Sequence, residues 1–226
     1  FHMSNDSHLF RTREQLEAQG YRLVGNRFVR DGETYMPLYE AKMVSLFDHR
    51  SSQVVISETA IIRQGQPEDL THEQHQSPDC LPMPRYWVSE QEIDKALPDG
   101  FQREWFQGFA NVTSSTNHRT MITTMLPKLG VGHSMPLVLF PEDTGAYAAS
   151  SFVACFTSFI FDFVGRQKLG GINYTFFILR QLPVPRYETL PQGVSEFTAR
   201  RVLELTFTAW DMQPFARDLG YDGPPF

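Results

Sequence analysis

Residues 151–185 read SFVACFTSFIFDFVGRQKLGGINYTFFILRQLPVP. An apolar run is followed by a polar loop, a second apolar run and a stop at Leu-Pro-Val-Pro. No other stretch constrains the fold as tightly. The first run, within residues 148–164, falls short of the roughly 18 residues needed to span a bilayer. It is also interrupted by Ser150, Ser151, Thr157, Ser158 and Asp162. The pattern predicts a buried core helix. The loop Arg166-Gln167-Lys168, closing on Gly170-Gly171, puts two cations, an amide and two glycines between two core elements. On a rigid platform such a loop suits contact with a polyanion or another polar partner.

The rest of the chain supports an ordinary globular class. With 226 residues, 41% hydrophobic and 20% charged, it can bury a sizeable core in one large or two small domains. Most of the nineteen Phe are expected inside. Two cysteines, Cys80 and Cys155, make no disulfide framework, so the cytoplasm is the default compartment. The seven histidines are scattered; His72 and His75 lack cysteine partners for zinc, and His133 reads as a structural histidine. No membrane partner is expected. The net charge of −6 is unevenly spread. Residues 62–100 hold three Lys/Arg against eight Asp/Glu, and residues 101–190 hold seven against five. The second segment permits DNA binding without demanding it.

Local patterns predict an α/β (α+β) fold with a mixed sheet around the long core helix. Residues 13–19 read as a short helix, and Gly25-Asn26 as a hairpin turn. Residues 35–47 read as a strand, and 64–84 as an acidic, polar loop. Ser89 and Glu92 have capping-box spacing for a helix through Leu97. Residues 101–111, 119–126 and 136–140 are strand-like, and 146–164 form the main helix. A second long helix is expected over 194–210, with Val194, Phe197, Val202, Leu205 and Trp210 on one side. The implied organisation is 1–3 as a tag remnant, 4–61 as an N-terminal α+β part and 62–84 as a loop. Residues 85–190 form the core domain, and 191–226 a helical segment that ends as if truncated.

Direct searches for chemistry return little. Gly130-Val131-Gly132 is a weak match to a nucleotide-binding turn, with no helix directly after it. The Pro-Pro at 224–225 follows a glycine, which cannot supply the polar side chain of an adenine methyltransferase loop. Glu40-Ala41-Lys42, with Asp31 or Glu33 as partner, has the spacing of a metal-dependent nuclease. The alternative is an ion pair between Glu40 and Lys42 on one strand face. There is no P-loop and no nucleophile elbow.

Four segments carry a resemblance: residues 9–50, including PLYEAKM and FDHR; RYWVSEQEID at 85–94; residues 108–138; and residues 158–184, with RQK, Gly-Gly and FFILRQLP. They resemble the C-terminal part of adenine-specific DNA methyltransferases of restriction–modification and related phage-defence systems, including type II enzymes that fuse restriction and methylation. The end of the last segment is also similar to recognition domains of type I specificity subunits. In that family the cofactor glycines and the Asn-Pro-Pro-aromatic loop lie N-terminal to the matching region. The resemblance therefore implies a target-recognition region without catalysis of its own. Its implied partners are double-stranded DNA and a methyltransferase domain, in the same or another polypeptide, that binds S-adenosylmethionine. No cofactor is implied for this chain.

Three sets of residues are the candidate DNA contacts. Arg166, Gln167 and Lys168 suit phosphate or base-edge contact, or simply complement a helix C-terminus. Gly170 and Gly171 admit close backbone approach or turn the chain; Asn173 and Tyr174 start the next element and face the same groove or are structural. In the run 113–119, Ser115, Thr116, Asn117 and His118 offer polar groups, and Arg119 suits a guanine. The plain reading of that run is a polar turn. Lys42, His49 and Arg50 form a basic set, with an Asp48–Arg50 pairing as the structural alternative. A third functional reading is a module that docks a protein through a Phe-rich surface.

Overall fold

The computed structural model describes residues 1–56 and 65–226. The expected boundary at 61/62, and residues 62–64 of the expected loop, lie outside the described residues. The elements in chain order are β1 (Phe10–Arg11), α1 (Arg13–Ala18), β2 (Arg22–Val24), β3 (Arg27–Arg30), β4 (Glu33–Tyr39), β5 (Ser52–Ile56) and β6 (Gly65–Asp69). Then come α2 (His72–Gln76), β7 (Tyr86–Ser89), α3 (Glu90–Ala96), β8 (Trp105–Phe109), β9 (Thr123–Pro127), β10 (Gly130–Val131) and β11 (Leu137–Val138). The helical part is α4 (Ala146–Thr157), α5 (Phe159–Lys168), α6 (Phe176–Leu179), α7 (Gln192–Thr206) and α8 (Gln213–Asp218). The class is the mixed α/β one expected, with several antiparallel sheets and a C-terminal helical part.

The N-terminal sheet runs β1-β7-β4-β3-β2 with antiparallel neighbours, and β10 joins β4 in parallel. Alternation along the strands gives it two apolar faces. Met36, Leu38 and Val88 pack with Phe10 and Ile93 on one face; Phe28 and Trp87 pack with Leu16 and Tyr21 on the other. The expected hairpin turn is present. Gly25 adopts φ +60, and buried Asn26 donates to the Pro82 carbonyl at 3.3 Å and accepts from the Trp87 indole at 2.8 Å.

The second sheet, β11-β8-β9, is the centre of the molecule: every residue of β8 and β9 is buried. A Cβ on Gly108 would stand 2.6 Å from Leu126 Cδ1, so only glycine lets the strands lie this close. Trp105 and Met125 from this sheet pack with α4, α7 and the segment through Phe207, Met212 and Phe215. The Trp105 indole donates to Asp218 at 2.6 Å. Phe106 and Leu126 pack with Tyr39 and Met43. Core clusters thus join residues from the expected 4–61, 85–190 and 191–226 parts.

Several expectations are corrected. The main helix is two helices. Ser158 leaves helical geometry (ψ 150) and its hydroxyl accepts from the Phe161 N–H at 3.1 Å, capping α5. The two axes bend by 59°. Among the described residues no single helix is long and apolar enough to cross a membrane. Ser89 makes no side-chain cap bond. The expected loop at 64–84 contains β6 and α2, and α2 starts with a capping box between Thr71 and Gln74. The strand expected to run to Phe47 stops at Tyr39. The element expected to begin at Asn173 begins at Phe176. On α7 the buried side is Ala199, Val202 and Leu203, whereas Val194, Phe197 and Leu205 are exposed. Trp210 lies beyond that helix and is 43% exposed.

Candidate nucleic-acid interface

Asp162 organises the strongest site. One turn into α5, it is buried at the point where residues 119–121 cross the helix. Its carboxylate accepts from the Thr120 N–H (2.6 Å), the Thr120 hydroxyl (2.8 Å) and the Met121 N–H (3.3 Å). It also accepts from Arg166 at 2.9 Å. Burial alone would raise this carboxyl. The Arg166 guanidinium and the Thr120 and Met121 donors outweigh it and hold the group down at about 2.

Arg166 extends the network outward. Its guanidinium donates to the carbonyls of Ser115, Asn117 (2.9 Å) and His118 (3.2 Å). Four residues beyond the carboxylate, it sits on the same side of the helix. The loop after α5 closes the arrangement from the other edge. Thr113 N–H donates to the Ile172 carbonyl (2.9 Å) and Tyr174 N–H to the Asn111 carbonyl (2.8 Å). Tyr174 is buried, with its hydroxyl 2.8 Å from that of Thr120. Gly165 makes room for it, since a Cβ there would lie 2.1 Å from the Tyr174 oxygen.

Two segments about fifty residues apart in sequence therefore form one tip. Ser115, Thr116, Asn117 and His118 are exposed on it, as are Gln167, Lys168, Gly170, Gly171 and Asn173. Among the described residues, other than chain neighbours, nothing would lie within 4 Å of a Cβ at Gly170 or Gly171, so the backbone there is open to approach. Among the described residues Lys168 has only a 3.4 Å contact to Gln181. The surface offers amides, hydroxyls, a lysine and free backbone, which suits phosphate oxygens and base edges.

Other expected contacts lie inside the molecule. Arg119 donates to the Thr157 carbonyl, stands 3.8 Å from Asp162 and covers the Phe159 ring at 4.7 Å. It is not available to a guanine in this arrangement. His49 and Arg50 are both 0% exposed. Arg50 donates to the carbonyls of His75 (3.1 Å), Ser77 (2.8 Å), Cys80 (2.8 Å) and Thr208 (2.8 Å). The expected Asp48–Arg50 pairing exists through the backbone, where Asp48 accepts from the Arg50 N–H at 2.7 Å. His49 Nε2 lies 2.9 Å from Asp211. The FDHR segment is thus an internal clasp. No local signal distinguishes a buried arginine of this kind from a surface one, because its acceptors come from distant backbone.

Lys42 is half-buried, bonded to the Gly65 carbonyl at 2.8 Å and paired with Glu40 at 3.1 Å. The pair follows the end of β4 rather than sharing a strand face. Asp31 and Glu33 lie at the opposite end of β4, roughly 20 Å away at 3.3 Å per residue, so they are no partners for Glu40. Among the described residues no group of three His, Cys, Asp or Glu side chains converges as a metal site. His133 receives the Met3 N–H at 3.5 Å and stacks on His2 at 4.6 Å. The expected tag remnant is thus packed on the body, with the Phe1 amine on the Val131 carbonyl. Comparison with family models, with curated proteins and with solved structures returns no match.

Proposed function

We propose that this chain is a DNA-recognition region of an adenine-specific methyltransferase of the restriction–modification type, acting with a catalytic domain not contained in these 226 residues. The observation that carries the reading is the convergence at the tip. The two polar segments singled out separately in the sequence meet in space, ordered from beneath by Asp162 and Arg166. The family resemblance of residues 9–50, 85–94, 108–138 and 158–184 supplies the chemical context. On this reading the tip contacts duplex DNA through Lys168, Gln167, Asn173 and residues 115–118. Arg166 positions the loop instead of touching phosphate. S-adenosylmethionine and the flipped adenine belong to the catalytic domain.

The electrostatics set the expected strength. The tip presents Lys168 as its cation on a chain of net charge −6, so the isolated region neutralises about one phosphate. The affinity is then weak, with a log–log salt slope of about −1. Fluorescence anisotropy on random duplex DNA at low and moderate salt tests this. Lys168→Ala combined with Asn173→Ala should weaken binding at least about tenfold, the loss expected for two polar contacts. Salt-insensitive binding, or an unchanged affinity in the double variant, would remove the tip from the DNA. The nuclease reading predicts Mg²⁺-dependent nicking abolished by Lys42→Ala. The separation of Glu40 from Asp31 and Glu33 argues against it.

A further inference from the structure

The outward side of α5 is a ridge of aromatic rings that runs into the tip. Phe159, Phe163 and Gln167 follow one another at four-residue spacing, so they line one side of the helix about 5–6 Å apart. The two rings are 79% and 65% exposed. Two more rings lie beside the far end of the ridge, on α6, where Phe176 and Phe177 are 63% and 77% exposed. Lys168 joins the two helices. Its ammonium is 3.4 Å from Gln181, whose amide donates to the Phe177 carbonyl at 3.0 Å. Phenylalanine is ordinarily a core residue, yet residues 159–177 leave four rings in water.

Charge selects the occupant. Between residues 145 and 187 the cations are Arg166, Lys168, Arg180 and Arg186. The sole acid in that span is Asp162, which is buried and bonded to Arg166. Lys168, Arg180 and Arg186 are exposed. On the other flank the Arg119 guanidinium lies 4.7 Å from the centre of the Phe159 ring. The rings are thus bordered by cations on a chain of net charge −6. Open rings beside cations are the two parts that hold a single nucleic-acid strand, because unpaired bases stack on rings and phosphates take cations. An anionic bilayer also attracts cations and rings. The ridge ends, however, on the open backbone of Gly170 and Gly171 and the amides of Gln167 and Asn173. Hydrocarbon would leave these polar groups without partners, whereas a strand supplies phosphates and base edges.

We infer that the α5–α6 ridge binds an unpaired stretch of DNA strand, with bases stacked on the Phe rings and phosphates on Lys168, Arg180 and Arg186. The inference rests on the DNA reading and extends it: the tip holds duplex, and the ridge takes a strand where pairing opens beside it. Fluorescence anisotropy of the full chain tests it, with an oligothymidylate and a random duplex of equal length as the two probes. The oligomer should bind at least about tenfold tighter than the duplex. Its log–log salt slope should be about −2, for three phosphates at about −0.7 each, against about −1 for the duplex. Phe159→Ala combined with Phe163→Ala should weaken oligomer binding by about tenfold per ring and leave duplex affinity unchanged. Far-UV circular dichroism confirms that the variant is folded. Duplex binding without preference for the oligomer overturns this inference alone, as does oligomer binding that survives the loss of both rings. Binding of neither probe removes the DNA reading and the inference together. Cosedimentation with phosphatidylserine vesicles that the double variant abolishes, without preference for the oligomer, assigns the ridge to a bilayer and overturns the inference.

Discussion

Replacing Asp162 by Asn keeps the side chain's shape and removes the charge on which two loops converge. Asp162→Asn leaves buried donors of Thr120, Met121 and Arg166 facing a neutral amide. The expected cost is about 2–4 kcal/mol, read from urea unfolding. The sign of the pH dependence follows from the lowered carboxyl. A group held at about 2 contributes stability that is complete above the usual Asp value near 3.8. That stability is lost as pH falls from about 4 toward 2. At 1.36 kcal/mol per unit, the contribution is about 2 kcal/mol. Acid titration of stability should show this loss in the wild type and lack it in the Asn variant. Arg50 shows a different kind of dependence, because its acceptors are backbone carbonyls from two distant segments. Arg50→Met should cost about 3–5 kcal/mol and lower Tm by about 10 °C. Lysine should not rescue it, since a point-like ammonium cannot span four carbonyls.

At the scale of elements, the α4–α5 corner decides where the tip points. Ser158 caps α5, so Ser158→Ala should cost about 1 kcal/mol and loosen the bend. Gly165 and Tyr174 act as a packed pair. Gly165→Ala alone drives the new methyl into the phenol. Combined with Tyr174→Phe it should cost less than the sum of the single changes, by at least about 1 kcal/mol in a double-mutant cycle. This corner also marks how far the sequence was legible. The hairpin at Gly25-Asn26, the strands around 105–109 and 123–127 and the polar character of 113–119 and 166–171 were readable from local pattern. The helix break was not, because a single serine in an apolar run serves equally as an interior residue or a cap. The orientation of α7 is not legible for a related reason. Its exposed stripe is as apolar as its buried one, so periodicity alone selects the wrong face. Arg50 and Arg119 read as surface cations because they donate to backbone carbonyls, which are invisible in a list of side chains, and His49 does so because its carboxylate partner, Asp211, lies 162 residues further on.

At the scale of the whole molecule, the central sheet ties the two ends of the chain together. Phe207, Met212 and Phe215 are all 0% exposed and pack with Trp105. Deleting residues 207–226 should therefore abolish cooperative unfolding, leaving a species that binds a hydrophobic dye and melts without a sigmoidal transition by circular dichroism. The shared core clusters predict one unfolding transition for the intact chain, seen equally by tryptophan fluorescence and far-UV signal.

Arg50 sets a time order on how this chain is made. One of its acceptors, the Thr208 carbonyl, lies 158 residues further on. At roughly 5–20 residues per second, a ribosome takes on the order of 10–30 s to supply it. Through that interval the guanidinium has no closed interior to enter. The clasp at residues 47–50 must wait on the ribosome with one acceptor missing, and it closes only when Thr208 emerges.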